Sequence, residues 1–387
     1  MIQKVYFKAE HLKSKLDKII PSIQDNISKE EVEKYWINYE PVKKPIFAIS
    51  EDGSINKKFY LGFYLFSVAG YAYGQDLNKN EYESQIAEVD ISVIKASERI
   101  DSYFRLLMFL CELKALLTLA KKVKPELLIL DGTLSSKFII SAPKTNWFTK
   151  KEFSGKLAEL SGELIKDIKP ILYDYDIASF SDEIVEKVIK LIPERLDTKP
   201  QRDILEAILS KLAYFEYFLL LYELFYELDW KPYIIGIGKT STDTQIFNAS
   251  VPDMRIFYKY TDTNGYSIPK YVSMENKAKT QEWEFSEIFE KVEKEKAVAL
   301  KEVSIQYFYT RYKDTRNVFL IEVYENPEGE TIKPETIMDY LTYLSPSGYP
   351  FYLIKADKDV RITKDDMELI ENIIGLKYEI TGREELI

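Results

Sequence analysis

The rhythm of apolar positions along this chain changes in a definite order. Residues 1 to about 45 read as charged amphipathic helices, with Ser28-Lys-Glu-Glu as a capped helix start, and Pro41 and Pro45 end the region. From Ile46 to Gly74 the pattern turns aromatic and β-branched, which predicts two or three antiparallel strands, and Asp90 to Val93 adds another. Ile100 to Val123 is apolar at helical spacing with no Gly or Pro, and Leu127 to Leu130 predicts a parallel strand after it. Residues 151 to about 229 read as mostly helical, broken at Pro170, Pro193 and Pro200. Strand character returns at Tyr233 to Gly238, followed by an irregular stretch to about Ser273 and a charged surface helix from Glu282 to Lys301. Two strands, Ile305 to Arg311 and Val318 to Tyr324, precede the turn Asn326-Pro-Glu-Gly, a helix near Thr336 to Leu344, and a last helix that includes Met367 to Ile374. The predicted architecture is therefore α/β, a mixed sheet flanked by helices. Residues 1–45 form an N-terminal helical region, 46–140 and 230–387 the core, and 141–229 a helical insertion.

Two short segments within this pattern carry candidate chemistry. Ser50-Glu51-Asp52-Gly53-Ser54 and Leu128-Ile129-Leu130-Asp131-Gly132-Thr133 each put Asp-Gly just after an apolar run, which predicts a strand ending in a tight turn. Such turns hold a carboxylate at the rim of a sheet, where a hard divalent cation can be shared. Between them, Glu112 sits on the long helix with Met108, Phe109, Ala115 and Leu116 as its neighbours at i−4, i−3, i+3 and i+4. A carboxylate on an apolar face needs compensation. A bound metal supplies it, as does a distant Arg or Lys, or a position at the edge of the stripe. Taken with Asp52 and Asp131, the metal reading is favoured, with oxygen ligands suited to Mg²⁺ or Mn²⁺.

Composition narrows the field. The chain has 387 residues, a net charge of −10, one cysteine and one histidine. Cys111, inside the apolar helix, reads as a core residue, and the single His11 argues against Ser-His-Asp, Cys-His and His-based zinc chemistry. No apolar run reaches the length of a membrane span and the first residues lack a signal-peptide core, so a cytoplasmic protein is expected. Abundant Lys, Glu, Ile and Tyr resembles thermophile usage. The acidic balance argues mildly against nucleic acid. Against that, Lys114, Lys121, Lys122, Lys124, Lys137, Lys144, Lys150 and Lys151 form a locally basic run, either a groove or a solvated surface.

The arrangement resembles the NurA family of archaeal and bacterial nucleases, whose catalytic core has an RNase H-like fold. The resemblance rests on Glu51-Asp52-Gly53-Ser54, Glu112, Leu130-Asp131-Gly132-Thr133-Leu134, Gly238-Lys239-Thr240-Ser241, Arg311 with the strand bearing Glu322, and Gly348-Tyr349-Pro350, spread over residues 47 to 375. It implies a Mn²⁺- or Mg²⁺-dependent nuclease with two ions per site, acting on single-stranded DNA and duplex ends as a 5′–3′ exonuclease and single-strand endonuclease. It also implies a homodimer working with a hexameric HerA-type translocase in DNA end resection. By resemblance Asp52, Glu112 and Asp131 are metal ligands, and Lys239 and Ser241 contact the scissile phosphate. One departure stands out. Where the family shows a histidine after Gly-Tyr-Pro, this chain has Asp357, taken as a fourth metal ligand, with Asp359 as a neighbouring substitute.

Arg311 is a candidate phosphate contact. Tyr258 and Lys259, in Phe257-Tyr258-Lys259-Tyr260, are candidates for holding a single strand by stacking and charge, with core packing as the competing role. The main rival to an enzyme is a catalytically degenerate adaptor that binds DNA or the translocase. A third reading is another RNase H-like enzyme, a resolvase or an RNA-cleaving nuclease.

Overall fold

A computed structural model of the chain describes residues 2–22, 27–93, 100–140, 151–275, 287–313, 316–327, 329 and 332–379. Helices α1 (Ile2–Ser22) and α2 (Lys29–Glu33) lead into a short strand β1 (Trp36–Asn38). A long antiparallel meander follows, β2 (Ala48–Tyr60), β3 (Phe63–Gln75) and β4 (Glu81–Ser92). Then come α3 (Ile100–Val123), β5 (Leu127–Asp131), α4 (Leu134–Phe138), and the helices α5 (Lys151–Ile168), α6 (Asp182–Leu196) and α7 (Arg202–Tyr222). The second half contains β6 (Tyr233–Gly238), α8 (Asp253–Tyr260), β7 (Gly265–Ser267), β8 (Lys270–Ser273), α9 (Glu287–Val292), α10 (Lys294–Glu302), β9 (Ser304–Arg311) and β10 (Phe319–Tyr324). It closes with α11 (Pro334–Leu344), α12 (Phe351–Val360) and α13 (Lys364–Ile374).

The ten strands among the described residues join one sheet in the order β1-β7-β9-β10-β6-β5-β2-β3-β4, with β8 also on β9. Strands β2, β5 and β6 run parallel to each other, and every other pairing is antiparallel. The stretch β4-β3-β2-β5-β6 is the RNase H-like order, and the mixed sheet flanked by helices agrees with the sequence expectation. Period-two alternation splits the core. Leu128 and Leu130 face the cluster built by α3 and α7, whereas Leu127 and Ile129 face the one built by α11 and α12.

Several local expectations change. Asp52-Gly53 does not end a strand, since β2 runs through it without a break to Tyr60. Gly53 is needed for a different reason: a Cβ there would lie 2.3 Å from Glu112 Oε1. Its register partner on β3 is Gly70, where a Cβ would lie 2.2 Å from the Cys111 carbonyl carbon. Two opposed glycines thus let α3 lie directly on the sheet, which brings Glu112 to the strand that carries Asp52. Asp131-Gly132 behaves as expected, with Gly132 at φ +79° closing the strand.

The region before residue 46 contains the edge strand β1 besides its helices. The stretch thought irregular holds α8 and two short strands, so Phe257-Tyr258-Lys259-Tyr260 is helical. Of Glu282 to Lys301, residues 287 onward form α9 and α10, and the rest lies outside the described residues, as do Lys144 and Lys150.

Helices α5, α6 and α7 share the core of the sheet. Leu157 and Leu164 of α5, Val188 of α6 and Phe218 of α7 all join the cluster around α3. Lys114 on α3 and Glu216 on α7 form a fully buried pair at 2.9 Å, and Glu216 also accepts hydrogen bonds from the Ala178 and Ser179 backbone N–H groups and the Ser179 hydroxyl. Among the described residues no helix is long and apolar enough to cross a membrane.

Replacing Gly70 by Ala drives a Cβ into rigid helix backbone and should destabilise the protein by about 2–3 kcal/mol in urea unfolding. The same change at Gly155, which has open space around it on α5, should be neutral or stabilising by up to about 1 kcal/mol.

Candidate active site

Parallel pairing between β2 and β5 stops at Glu51 opposite Leu130, one residue short of Asp52 and Asp131. Beyond that point the two strands are no longer paired, and their connections leave in opposite directions along the sheet, the place where open α/β sheets form clefts. Alternation on β2 sends Glu51 and Gly53 toward α3 and Asp52 to the opposite side. Four carboxylates therefore gather around the gap: Glu51 and Glu112 on the α3 side, and Asp52 and Asp131 on the other.

The α3 side is closed by Lys137. Its ammonium lies 2.5 Å from Glu112 Oε2 and 3.1 Å from Glu51 Oε1, and all three side chains are buried. This is the distant cation that the apolar surroundings of Glu112 called for. The Phe109 ring covers it at 4.5 Å. Lys137 is carried by the single-turn helix α4, which is fixed at both ends. Thr133 caps it by accepting from the Ser136 N–H, and Glu322 on β10 accepts from the Ser135 N–H at 2.7 Å and the Ser135 hydroxyl at 2.8 Å. The Tyr217 hydroxyl on α7 donates to the Lys137 carbonyl at 2.7 Å.

The opposite side is more open. Lys239, at the end of β6, places its half-exposed ammonium 2.9 Å from Asp131 Oδ1, and the Tyr349 hydroxyl donates to the same oxygen at 3.2 Å. The Tyr349 ring also lies under the Lys239 ammonium at 4.9 Å. Asp52 accepts from the Gly53 N–H at 2.7 Å.

Electrostatics follow from this crowding. Burial pushes the Glu51 and Glu112 carboxyls up, the Lys137 ammonium pulls them back, and the neighbouring carboxylates add to the rise. Burial opposes the charge on Lys137, but Glu112 and Glu51 outweigh it and hold the ammonium protonated. Asp52 has less help. Burial first, then the charges of Asp131 and Glu51, push it up to about 7.

The remaining candidates are dispersed. Lys239, Ser241, Tyr258 and Asp357 line one cavity of about 680 Å³ that touches the carboxylates through Lys239 and Tyr349. Ser241 Oγ accepts from the Asp243 N–H and lies 3.3 Å from the Tyr309 hydroxyl. Asp357 is exposed on α12 and paired with Arg361 at 2.7 Å, and Asp359 is paired with Lys355. Neither shares a hydrogen bond or ion pair with the carboxylate group in the contacts described. Arg311 is buried and donates to the Thr261 carbonyl at 2.8 Å, so its first role is structural. It borders a second cavity of about 630 Å³, with Tyr258, Lys259, Lys313 and Arg316. Tyr258 is exposed and common to both cavities, while Phe257 beside it is core.

Sequence reasoning missed Glu51, Lys137 and Tyr349 as members of the site, and Glu322 and Tyr217 as its supports. Two signals were present. Glu51 shares its strand face with Ile49, and Lys137 sits amid Leu134, Phe138 and Ile140, a poor setting for a solvated lysine.

Carboxylates around the parted ends of parallel strands in an RNase H-like sheet define a class of acidic, metal-type phosphodiester sites. The NurA domain model matches residues 45–362, and the chain belongs to the NurA family. The "Probable DNA double-strand break repair nuclease NurA" of Methanocaldococcus jannaschii is 28% identical over 97% of this chain and 89% of its own length. The "DNA double-strand break repair nuclease NurA" of Sulfurisphaera tokodaii is 23% identical over 97% and 96%. The crystal structure of the NurA nuclease from Sulfolobus solfataricus superposes with a TM-score of 0.66 at 20% identity, covering 100% of this chain and 99% of that one. A crystal structure of NurA bound to dAMP and manganese gives 0.66 at 15% identity, covering 97% of each.

Because the folded chain keeps a proton on Asp52 that the unfolded chain releases above its ordinary value of 3.8, Asp52 burdens stability above pH 7, and the burden fades as pH falls toward 4. In EDTA at pH 8, Asp52→Asn should therefore be more stable than the wild type by about 2 kcal/mol in urea unfolding, with the gain vanishing near pH 4.

Proposed function

We propose that this chain is a Mn²⁺- or Mg²⁺-dependent deoxyribonuclease that hydrolyses phosphodiester bonds at DNA ends, as a 5′–3′ exonuclease and single-strand endonuclease in end resection. The observation that carries this reading is the gathering of Glu51, Asp52, Glu112 and Asp131 at one gap in the sheet, in a chain whose relatives are named repair nucleases. The resemblance also supplies the expected assembly, a homodimer working with a hexameric HerA-type translocase.

The donor set fits a hard divalent ion. All four groups are carboxylates, and among the described residues Glu51 Oε2 is buried without a hydrogen-bond partner. Asp52, short of positive charge, gains most from a cation. Asp52, Glu112 and Asp131 would hold it, and among the described residues no three such side chains stand grouped as a ready-made metal site. When bound, the ion would activate water and stabilise charge on the departing 3′ oxygen. Lys239 would neutralise the phosphate beside Asp131, and Tyr349 would hold that carboxylate in place. Ser241, Tyr258 and the first cavity offer a bed for one strand, continued past Tyr258 by Lys259 and the rim around Arg311.

Asp357 is less suited to ligate than its sequence position suggested, since it is exposed and tied to Arg361. That favours the second reading, a degenerate adaptor, enough to make it an outcome of the test.

Labelled single- and double-stranded DNA incubated with Mn²⁺, Mg²⁺ or EDTA should be degraded only with metal, and Asp52→Ala and Asp131→Ala should each slow the reaction at least about 100-fold. Absence of cleavage by the folded wild type with either metal, even with a cognate translocase, would leave the adaptor. Substrate competition between DNA and RNA separates the nuclease from its RNase H-like relatives. Tyr258→Ala should weaken oligo(dT) binding by about 1–3 kcal/mol with melting temperature unchanged, measured by fluorescence anisotropy.

A further inference from the structure

We infer that the second cavity, beyond Tyr258, is a pocket for the terminal 5′-phosphate of the strand being degraded, a phosphate monoester held apart from the scissile bond. This deepens the nuclease reading above and rests on it.

The first argument is the make-up of the cavity. It has a volume of about 630 Å³ and lies where the end of β9 meets the link from α8 to β7. Arg311 lines it from a buried position, Lys259 and Arg316 from exposed ones, and Lys313 adds a fourth positive charge. Guanidinium groups present planar sets of N–H donors that match phosphate oxygens. On a chain of net charge −10 this concave group of cations is a local reversal, and such clefts concentrate anions.

The second argument is that the pocket is formed in advance. Arg311 is oriented by its bond to the Thr261 carbonyl at 2.8 Å. The link is tied to the β1 side, where the Thr263 hydroxyl donates to Asn38 at 2.6 Å and the Asn264 amide donates to Glu40 at 3.1 Å. Lys313 donates to the Ser345 and Pro346 carbonyls, just ahead of Gly348-Tyr349. The cavity is thereby joined to the loop whose Tyr349 reaches Asp131.

The third argument is where the charge changes sign. Glu40 and Asp262, both exposed, share the lining. A strand continuing across would bring further phosphates against these carboxylates, whereas a strand that ends in the cavity does not. Four positive charges against two negative leave a surplus of two among the described residues. That surplus suits a terminal monoester, which carries about −1.5 to −2 at pH 7, better than an internal diester with its single charge.

The chemistry gives the pocket its use. Hydrolysis forms a bond from the water oxygen to phosphorus and breaks the bond to the 3′ oxygen, which leaves with a proton. The released fragment ends in a 3′-hydroxyl, and the strand that remains carries a new 5′-phosphate. Every cut therefore regenerates the group that the pocket holds. Tyr258, common to both cavities, lies between the anchored end and the scissile bond. A strand held by its end is cut at a set interval, and short fragments of one length leave.

Binding is measured in EDTA, by fluorescence anisotropy of 3′-labelled oligo(dT) that ends in a 5′-phosphate or a 5′-hydroxyl. The 5′-phosphate should bind about 10-fold more tightly. Inorganic phosphate should erase that advantage, and a phosphate placed at the 3′ end of a 5′-labelled strand should confer none. Arg316→Gln should bring the two affinities together with melting temperature unchanged, and Arg316→Lys should keep part of the difference. With Mn²⁺, the wild type should release fragments of uniform length from the 5′-phosphorylated strand only. Equal affinity for the two ends, an advantage that survives Arg316→Gln, or the same fragments from both strands overturns the inference. Cleavage of circular single-stranded DNA, which has no end, then leaves the nuclease reading standing. Absence of all cleavage with either metal overturns that reading, and the measurement in EDTA still decides the pocket.

Discussion

One buried ion triad governs the rest of the molecule. An ammonium held between two carboxylates away from water survives only with close geometry, and removing one member would strand uncompensated charge. Lys137 meets that demand with Glu51 and Glu112, and in doing so joins strand β2, helix α3 and helix α4 at a point. Glu322 and Tyr217 extend the connection to β10 and to α7. The paired glycines at 53 and 70 belong to the same constraint, since the triad forms only if α3 approaches the sheet without intervening Cβ atoms.

Much of the fold was legible because it depends on local pattern. The 24-residue helix α3, the strand Leu127–Asp131 and the aromatic meander announce themselves through periodicity. So does the turn at Gly132. What failed was a local rule applied where a long-range contact decides: Asp52-Gly53 has turn chemistry but sits mid-strand, its glycine dictated by a side chain some 60 residues away. The three acids Asp52, Glu112 and Asp131 could be picked out singly, Glu112 because its helical neighbours are apolar. Lys137 was passed over as one of a run of lysines, although its apolar neighbours Leu134, Phe138 and Ile140 hinted at burial. Asp357 illustrates the reverse case, a residue at a family position whose side chain pairs with its own helix neighbourhood.

The sheet works as a partition. One side carries the fixed, dry half of the site, packed under α3 and α7. The other carries Asp52, Asp131, Lys239 and Tyr349 at the edge of a cavity. This separation explains how buried carboxylates coexist with a neighbouring open cavity. The rigid members set the geometry from behind, and the accessible members meet whatever enters. Helix α7 has a part in this arrangement beyond bulk, because it supplies both the Tyr217 anchor and the Glu216 partner of Lys114.

The Glu322 clasp on α4 has an implication for how the molecule comes into being. The hydrogen bond from Ser135 to Glu322 spans 187 positions of sequence. During synthesis, β2, α3 and α4 leave the ribosome long before β10 does. Until β10 docks, the turn that presents Lys137 lacks its clasp, and Glu51 and Glu112 have no fixed counter-charge. The acidic centre is thus completed only once β10 has docked, and a chain that stops short of β10 carries its carboxylates without that clasp.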